Sequence, residues 1–352
     1  MSLTVTLQPS GRSFSVQRDE SILAAAIRQG IGLPYGCRNG ACGSCKCKLL
    51  EGRVIHGAHQ PSTLSEAEEA QGYTLTCCAA PQTDLVLEAR SVVGADEMPV
   101  RKMPARVISI DKPAADVAIV KLQLPANEAL RYHPGQYIDV ILRDGTRRSY
   151  SMANAPHTQG DKPWIEWHIR HLPGGVFSDQ VFSTLKAKDI LRLEGPFGSA
   201  YLRDDSPKPI VLLASGTGFA PIKAMLEHLQ FKGSTRPVAL YWGCRTRADL
   251  YLHDVAQAAA EHLPQLRYVP VLSDATSDAT ASDAWTGRTG YVHQAVMQDI
   301  PDLSGHQVYA CGAPAMVEAA QREFTDRCGL PAEEFIADAF YSAADRVGLA
   351  GG

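Results

Sequence analysis

Four cysteines constrain this chain most: Cys37, Cys42 and Cys45 in GCRNGACGSCKC, and Cys77 in YTLTCCAAP. A C-x4-C-x2-C run followed by one distant cysteine is a spacing that holds a [2Fe–2S] cluster. Two irons need four converging thiolates, so one tight loop supplies three and a remote segment the fourth. Gly36, Gly40 and Gly43 let the loop wrap closely and leave its amides free to approach the sulfurs. A zinc knuckle or ordinary buried thiols are the competing readings. Zinc sites usually pair two C-x2-C hooks, and only one is present. Cys37, Cys42, Cys45 and Cys77 are therefore the expected metal ligands. Cys47 and Cys78 lie off this pattern and read as small buried hydrophobes; Cys244 and Cys328 read as ordinary thiols.

The arrangement resembles the plant-type ferredoxins, and the likeness covers about the first 93 residues. It includes LTVTLQPSGRSFSVQ, whose alternating apolar residues flank a Pro-Ser-Gly turn as in a hairpin. ESILAAAIRQGIGLP predicts a short helix with Ile22, Leu23, Ala26 and Ile27 on one face, stopped by Gly30.

The 352-residue length allows two or three domains, and a 45% hydrophobic fraction is ordinary for globular proteins. A formal net charge of −4 argues against nucleic acid as a partner. The N-terminus enters a strand with no signal-peptide pattern, and no apolar run is long enough to span a bilayer. Nine cysteines, several in one loop, suit a reducing compartment. A cytoplasmic enzyme is expected.

GADEMPVRKMPARV reads as a linker. ARVISIDK, VAIVKLQL, QYIDVIL, RRSYSMA and WIEWHIR then follow as strands between turns, with no long helix before VFSDQVFSTL; this predicts a small antiparallel barrel with one capping helix. From Pro207 strands and helices alternate: PIVLLASGTG, APIKAMLEHLQF, RPVALYWGCR, LYLHDVAQAAAEHL and onward, as in a parallel nucleotide-binding sheet. The expected organisation is a ferredoxin domain over 1–93, a linker over 94–103, a flavin barrel over 104–206, a nucleotide lobe over 207–342 and a tail over 343–352.

RRSYSMAN holds a second signature, Arg148-Ser149-Tyr150-Ser151. With HPGQYIDV upstream and GGVFSDQVF and LEGPFG downstream, it resembles the FAD barrel of the ferredoxin–NADP reductase superfamily. The resemblance implies Tyr150 against the isoalloxazine, Arg148 on the pyrophosphate and Ser151 hydrogen-bonding the ring. A guanidinium fork suits phosphate oxygens, and a tyrosine ring is a flat apolar platform. Gly175, Val176 and Ser178 open the capping helix, where amides can hold an anion. Arg170 adds charge there or lies in solvent.

LLASGTGFAPIKAM places Gly216, Thr217 and Gly218 in a turn after a buried strand, with Pro221 at a position that fits helix N1. It is G-x-G-x-x-P rather than the usual dinucleotide fingerprint. The superfamily resemblance puts Thr217 close to the nicotinamide, Cys311 of YACGAPAM beside its C4 and Gly312 next to the diphosphate. A core thiol is the other reading of Cys311. FIADAF resembles the closing segment of these reductases and implies Phe340 near the flavin, with plain core as its competitor. Many relatives carry Glu-Lys before that aromatic, where this chain has Asp338-Ala339.

RRSYSMANAP, SGTGFAP, WTGRTGYVHQAV, DIPDLS and VYACG together resemble the CDP-6-deoxy-3,4-glucoseen reductase subgroup. This implies NADH as donor, then FAD, then the [2Fe–2S] cluster, then a pyridoxamine-dependent dehydrase. Reductase components of ring-hydroxylating dioxygenases and di-iron monooxygenases share the module order. A stand-alone diaphorase and a redox sensor are the remaining alternatives. Cys311, Tyr150 and Thr217 are the candidate catalytic residues. NADPH remains the alternative donor, since Arg245 and Arg247 could hold a 2′-phosphate, the ordinary diphosphate or nothing. Arg38, Lys46 and Lys48 near the cluster loop would raise its potential above the plant-type value of about −400 mV. A monomer is the default.

Overall fold

The computed structural model describes residues 2–89, 98–126, 130–274 and 285–341. Positions 94–97 of the expected linker and the whole expected tail lie outside them. Two compact units result: one holds the described residues up to 100 with 197–199 and 341, the other holds 101–196 and 200–340.

The first unit is β-grasp-like and contains both the predicted hairpin and the predicted short helix. Strands β1 (Ser2–Gln8) and β2 (Ser13–Gln17) form the predicted hairpin, with Val5, Leu7, Phe14 and Val16 inward. Helix α1 (Ile22–Arg28) begins at the Ser21 cap, whose hydroxyl accepts the Ala24 amide. It buries Ile22, Leu23, Ala25 and Ala26; Ile27 is only half-buried. Next come β3 (Lys46–Glu51), β4 (Val54–His56), α2 (Glu66–Ala70), β5 (Tyr73–Leu75), β6 (Ala79–Pro81) and β7 (Leu85–Glu88). The sheet order is β2-β1-β7-β3-β5, with β1 and β7 parallel at its centre.

In the second unit, β8 (Arg101–Ala114), β9 (Val117–Gln123), β10 (Tyr137–Ile141), β11 (Arg147–Ser151), β12 (Trp164–Arg170) and β13 (Ile190–Phe197) form a sheet ordered β11-β10-β13-β8-β9-β12. The pairs β10–β11, β8–β13, β8–β9 and β9–β12 are antiparallel, and the edge strands β11 and β12 approach each other to curl it into a barrel. Helix α3 (Val176–Ser183) packs Phe177 and Val181 into the barrel core.

The lobe contains β14 (Ile210–Ser215), α4 (Phe219–Phe231), β15 (Val238–Cys244), α5 (His253–His262), β16 (Leu266–Leu272), β17 (Arg288–Thr289), α6 (Val292–Asp299), β18 (Gln307–Gly312), α7 (Pro314–Cys328) and β19 (Phe335–Ala339). Its sheet is parallel throughout, ordered β17-β16-β15-β14-β18-β19, with apolar clusters on both faces. The order reverses at β14. A ligand crevice in an open α/β sheet lies at such a switch point, beyond the carboxyl ends of the strands. The turns after β14 and β18 flank it.

Candidate functional site

The cluster loop has unusual backbone geometry. Arg38, Gly40 and Gly43 all take positive φ, at 61°, 78° and 72°. This curls successive amides inward, as in an anion nest. The Cys37 amide donates to Cys42 Sγ and the Ala41 amide to Cys37 Sγ, each across 3.4 Å. Further amides, from Ser44 to Cys42 and from Gly40 to Cys77, aim at the thiols. Cys45 Sγ and Cys77 Sγ are 3.3 Å apart, so loop and remote segment meet. Hydrogen-bond sharing with Cys42 pushes the Cys37 thiol up, and the same bond holds Cys42 down at about 6. Two thiol pairs, Cys37–Cys42 and Cys45–Cys77, with backbone amides aimed at their sulfurs, are the donor types a [2Fe–2S] cluster takes. A Cβ on Gly40 would meet Cys78 Sγ and His59 at 2.8 Å, so the wrap requires glycine there.

Cys47 lies on β3 opposite Thr74 and packs into the apolar core; burial pushes its thiol up to about 12. Cys78 is half-buried with Sγ 3.4 Å from Cys77 Sγ. Cys244 and Cys328 are buried in the lobe. Lys46 is paired with Glu68 at 2.7 Å, which offsets part of the positive charge expected beside the cluster.

Register on β11 alternates faces, so Tyr150 points inward against Trp167 and Phe177, with ring centroids 5.3 and 5.5 Å away. Arg148, two residues earlier and so on the same face of β11, donates through its guanidinium to the Arg147 carbonyl at 2.8 Å. Helix α3 starts at Gly175 with no side-chain cap, which leaves its first turn suited to an anion. A Cβ on Gly175 would lie 2.5 Å from Ser178 Oγ and 2.8 Å from the Leu172 carbonyl. Ser178 accepts from the Leu172 amide at 3.2 Å, so it shapes the turn that presents these amides. Val176, at the helix start, is exposed. A glycine cradle, an uncapped helix start and an aromatic wall fit a flavin dinucleotide.

The nucleotide turn is stitched to its neighbours. Gly216 takes φ 52°, its carbonyl accepts from Trp242 Nε1 at 3.0 Å, and Arg170 packs against it. Arg170 is also 3.5 Å from Asp116. Thr217 lies half-buried in the turn. A Cβ on Gly218 would fall on the Cys311 carbonyl, and one on Gly312 would collide with Ser215. Ser215 Oγ accepts from the Ala313 amide at 2.8 Å and ties the two turns together. Pro221 is the third residue of α4 rather than N1; a first-turn position has no intrahelical bond for its missing N–H to lose. Arg245 and Arg247 are exposed beyond β15.

Cys311 is buried at the end of β18, its thiol raised well above normal by burial and the nearby Asp338 carboxylate. Asp338 stands opposite it in register on β19, and Ser151 Oγ donates to Asp338 Oδ2 at 3.4 Å. Phe340 is half-buried, its amide bonded to the Gly312 carbonyl at 2.8 Å. Ser215 and Asp338 escaped the sequence reading. Asp338 had a signal, since it replaces a glutamate of the resembling motif.

Residues 5–82 match the 2Fe-2S iron-sulfur cluster binding domain, 104–201 the oxidoreductase FAD-binding domain and 212–322 the oxidoreductase NAD-binding domain. A CDP-6-deoxy-L-threo-D-glycero-4-hexulose-3-dehydrase reductase of Yersinia pseudotuberculosis is 43% identical over 340 residues, 97% of this chain and 99% of that protein. Terephthalate 1,2-dioxygenase reductase component 1 of Comamonas is 35% identical over 342 residues, 97% and 98% of the two chains. The solved structure of the Amycolatopsis cytochrome P450 reductase GcoB superposes with TM-score 0.79 at 33% identity, covering 97% and 99%. No helix among the described residues is long and apolar enough to cross a membrane.

Proposed function

This chain belongs to the iron–sulfur flavoprotein reductases of the ferredoxin–NADP reductase superfamily, and on that premise we propose that its electron acceptor is a pyridoxamine-dependent dehydrase acting on a nucleotide-linked deoxyhexose. It is an oxidoreductase that uses NAD(H), FAD and a [2Fe–2S] cluster. The acceptor rests on one observation, the 43% identity along 97% of the chain to a dehydrase reductase, against 35% to a dioxygenase reductase. The second reading, an oxygenase acceptor, draws on that latter likeness.

When bound, NADH supplies a hydride, FAD takes two electrons and gives them up singly, and the cluster carries one at a time. The protein's part is positional. Cys37, Cys42, Cys45 and Cys77 hold the cluster within the amide nest. Tyr150 would give the isoalloxazine a flat wall, Ser151 would offer it a hydroxyl, and Phe340 would lie near it. Arg148 and the α3 amides of Gly175, Val176 and Ser178 hold the pyrophosphate. Gly216, Thr217, Gly218 and Pro221 form the nicotinamide-side turn, backed by Arg170, with Gly312 along the diphosphate and Arg245 at the adenosine end. Cys311 would stand beside the nicotinamide C4, at the buried end of β18. We place the domains at 1–93, 101–206 and 207–342, followed by a tail at 343–352; of the linker expected at 94–103, residues 101–103 already belong to the first barrel strand, so the barrel begins at Arg101. NADH is preferred over NADPH. A monomer in the cytoplasm suits a chain carrying all three modules and nine cysteines, four of them given to the cluster and none in a disulfide.

The acceptor is tested by reconstitution: purified reductase and NADH are mixed with a dehydrase of this class or a Rieske oxygenase, and product is counted per NADH. Coupled turnover with the dehydrase alone supports the proposal; coupling only with the oxygenase selects the second reading.

A further inference from the structure

One face of β12 carries Glu166, His168 and Arg170 in alternation, while Ile165, Trp167 and Ile169 enter the barrel core. Each polar residue meets a different piece of the nucleotide lobe. Glu166 Oε1 lies 3.1 Å from Lys223 Nζ on α4. His168 Nδ1 is 2.8 Å from Tyr251 Oη, and its Nε2 is 3.0 Å from Glu166 Oε1. Arg170 packs against Gly216 in the nucleotide turn.

A second set of bonds reaches the same helix. Lys223 Nζ donates to the Ala153 carbonyl at 3.2 Å and pairs with Glu227 at 2.6 Å. The other Glu227 oxygen accepts the Ala155 amide at 2.8 Å. Ala153 and Ala155 lie two and four residues beyond Ser151, which ends β11; Ser151 and its neighbour Tyr150 are the residues proposed to meet the flavin. Lys223 sits five residues beyond Gly218 in the helix that the nicotinamide turn opens. The clasp thus joins two short, rigid pieces of chain, one ending at each half of the reaction.

The clasp is expensive to keep. Glu166 and His168 are 95% buried, and the Lys223 side chain is 15% exposed. A buried ion cluster is weak evidence for stability, because desolvation offsets most of the attraction; fixing one geometry is its better-attested use. Burial opposes the charge on Lys223, but Glu166 and Glu227 outweigh it and hold the ammonium charged.

We propose that Lys223 is a positioning residue for hydride transfer, clasping the flavin strand to the nicotinamide turn through Ala153, Glu166 and Glu227. The inference rests on the reductase reading above. Misplacement by about 1 Å in such a reaction costs about 100-fold in rate, so a loosened clasp is felt in chemistry before it is felt in binding.

The test uses the full holoprotein with Lys223→Met, which keeps the apolar stem, Lys223→Arg, which keeps the charge, and Glu166→Gln. Flavin reduction by NADH is followed by anaerobic stopped flow, with protiated and 4-deuterated NADH. Lys223→Met should slow reduction at saturating NADH at least tenfold, about 1.4 kcal/mol, shift half-saturation by less than about threefold, and raise the deuterium isotope effect. Glu166→Gln should lie between it and the wild type, and Lys223→Arg should recover most of the rate. A wild-type rate and isotope effect in Lys223→Met would overturn the inference. So would a slowing matched by lost FAD content with an unchanged isotope effect, which is the mark of a purely structural role. Wild-type protein that NADH does not reduce would instead sink the underlying reading.

Discussion

The Ser151 hydroxyl on β11 donates to the Asp338 carboxylate on β19 at 3.4 Å, across 187 positions of chain. That bond ties the flavin strand to the strand beside Cys311, whose register partner is Asp338. One carboxylate thus accepts the Ser151 hydroxyl and adds to burial, the larger cause, in raising the Cys311 thiol well above its ordinary pKa. Asp338→Asn retains the shape and removes the charge. We expect about tenfold slower flavin reduction by NADH, and a similar loss for Ser151→Ala, with the double variant no worse than about either single, the sign of a shared pathway. Stopped-flow rates check this.

Cysteines on and off the ligand set should behave in opposite ways. Cys42→Ala removes a proposed ligand and should abolish the [2Fe–2S] absorbance and paramagnetic signal while the flavin stays bound. Cys47→Ala leaves the four ligands and should keep the spectrum at wild-type intensity. It should lower stability by about 1 kcal/mol through lost packing. Iron content per chain separates the two.

Two glycines test the cradle. Gly175→Ala drives a methyl against Ser178 Oγ and the Leu172 carbonyl. FAD should elute from this variant on gel filtration while the far-ultraviolet spectrum persists. Gly218→Ala places its methyl on the Cys311 carbonyl. It should cost about 1–3 kcal/mol of overpacking strain and raise half-saturation for NADH, which thermal unfolding and steady-state kinetics measure.

Acid should destabilise the protein in two stages. Burial keeps His168 neutral and its pKa below the ordinary 6.5. Its stabilisation is therefore complete above that value and is lost as pH falls below it. Burial pushes Glu166 up, but His168 and Lys223 outweigh it and bring it to about 2. Its stabilisation is full above the ordinary 4.5 and is lost as pH falls toward 2. Unfolding midpoints across pH 4–8 should flatten in the upper stage for His168→Asn.

Much of this was legible because its determinants are local. The cluster loop is written in spacing alone, and the alternation in β9 to β12 shows directly as strands. The helix expected over Leu250–Leu263 is shorter, since Thr246 and Asp249 form a capping box that closes a 3-10 turn before α5. Ile190–Phe197 is not expected as a strand, and LEGPFG enters only as a motif, because Gly195-Pro196 breaks its apolar alternation. Glu166, His168 and Lys223 carried no signal. Their meaning lies in which face of β12 meets the lobe, and that is settled by sheet order rather than by neighbours in sequence.

Electrons pass within one chain from NADH through flavin to the cluster. Anaerobic titration of the holoprotein with NADH, and separately with NADPH, tests this directly by absorbance and electron paramagnetic resonance. The account predicts that NADH bleaches the flavin and produces the signal of a reduced [2Fe–2S] cluster, with NADPH less effective. Flavin bleaching with a cluster that stays oxidised, yet is reduced by dithionite, would contradict it.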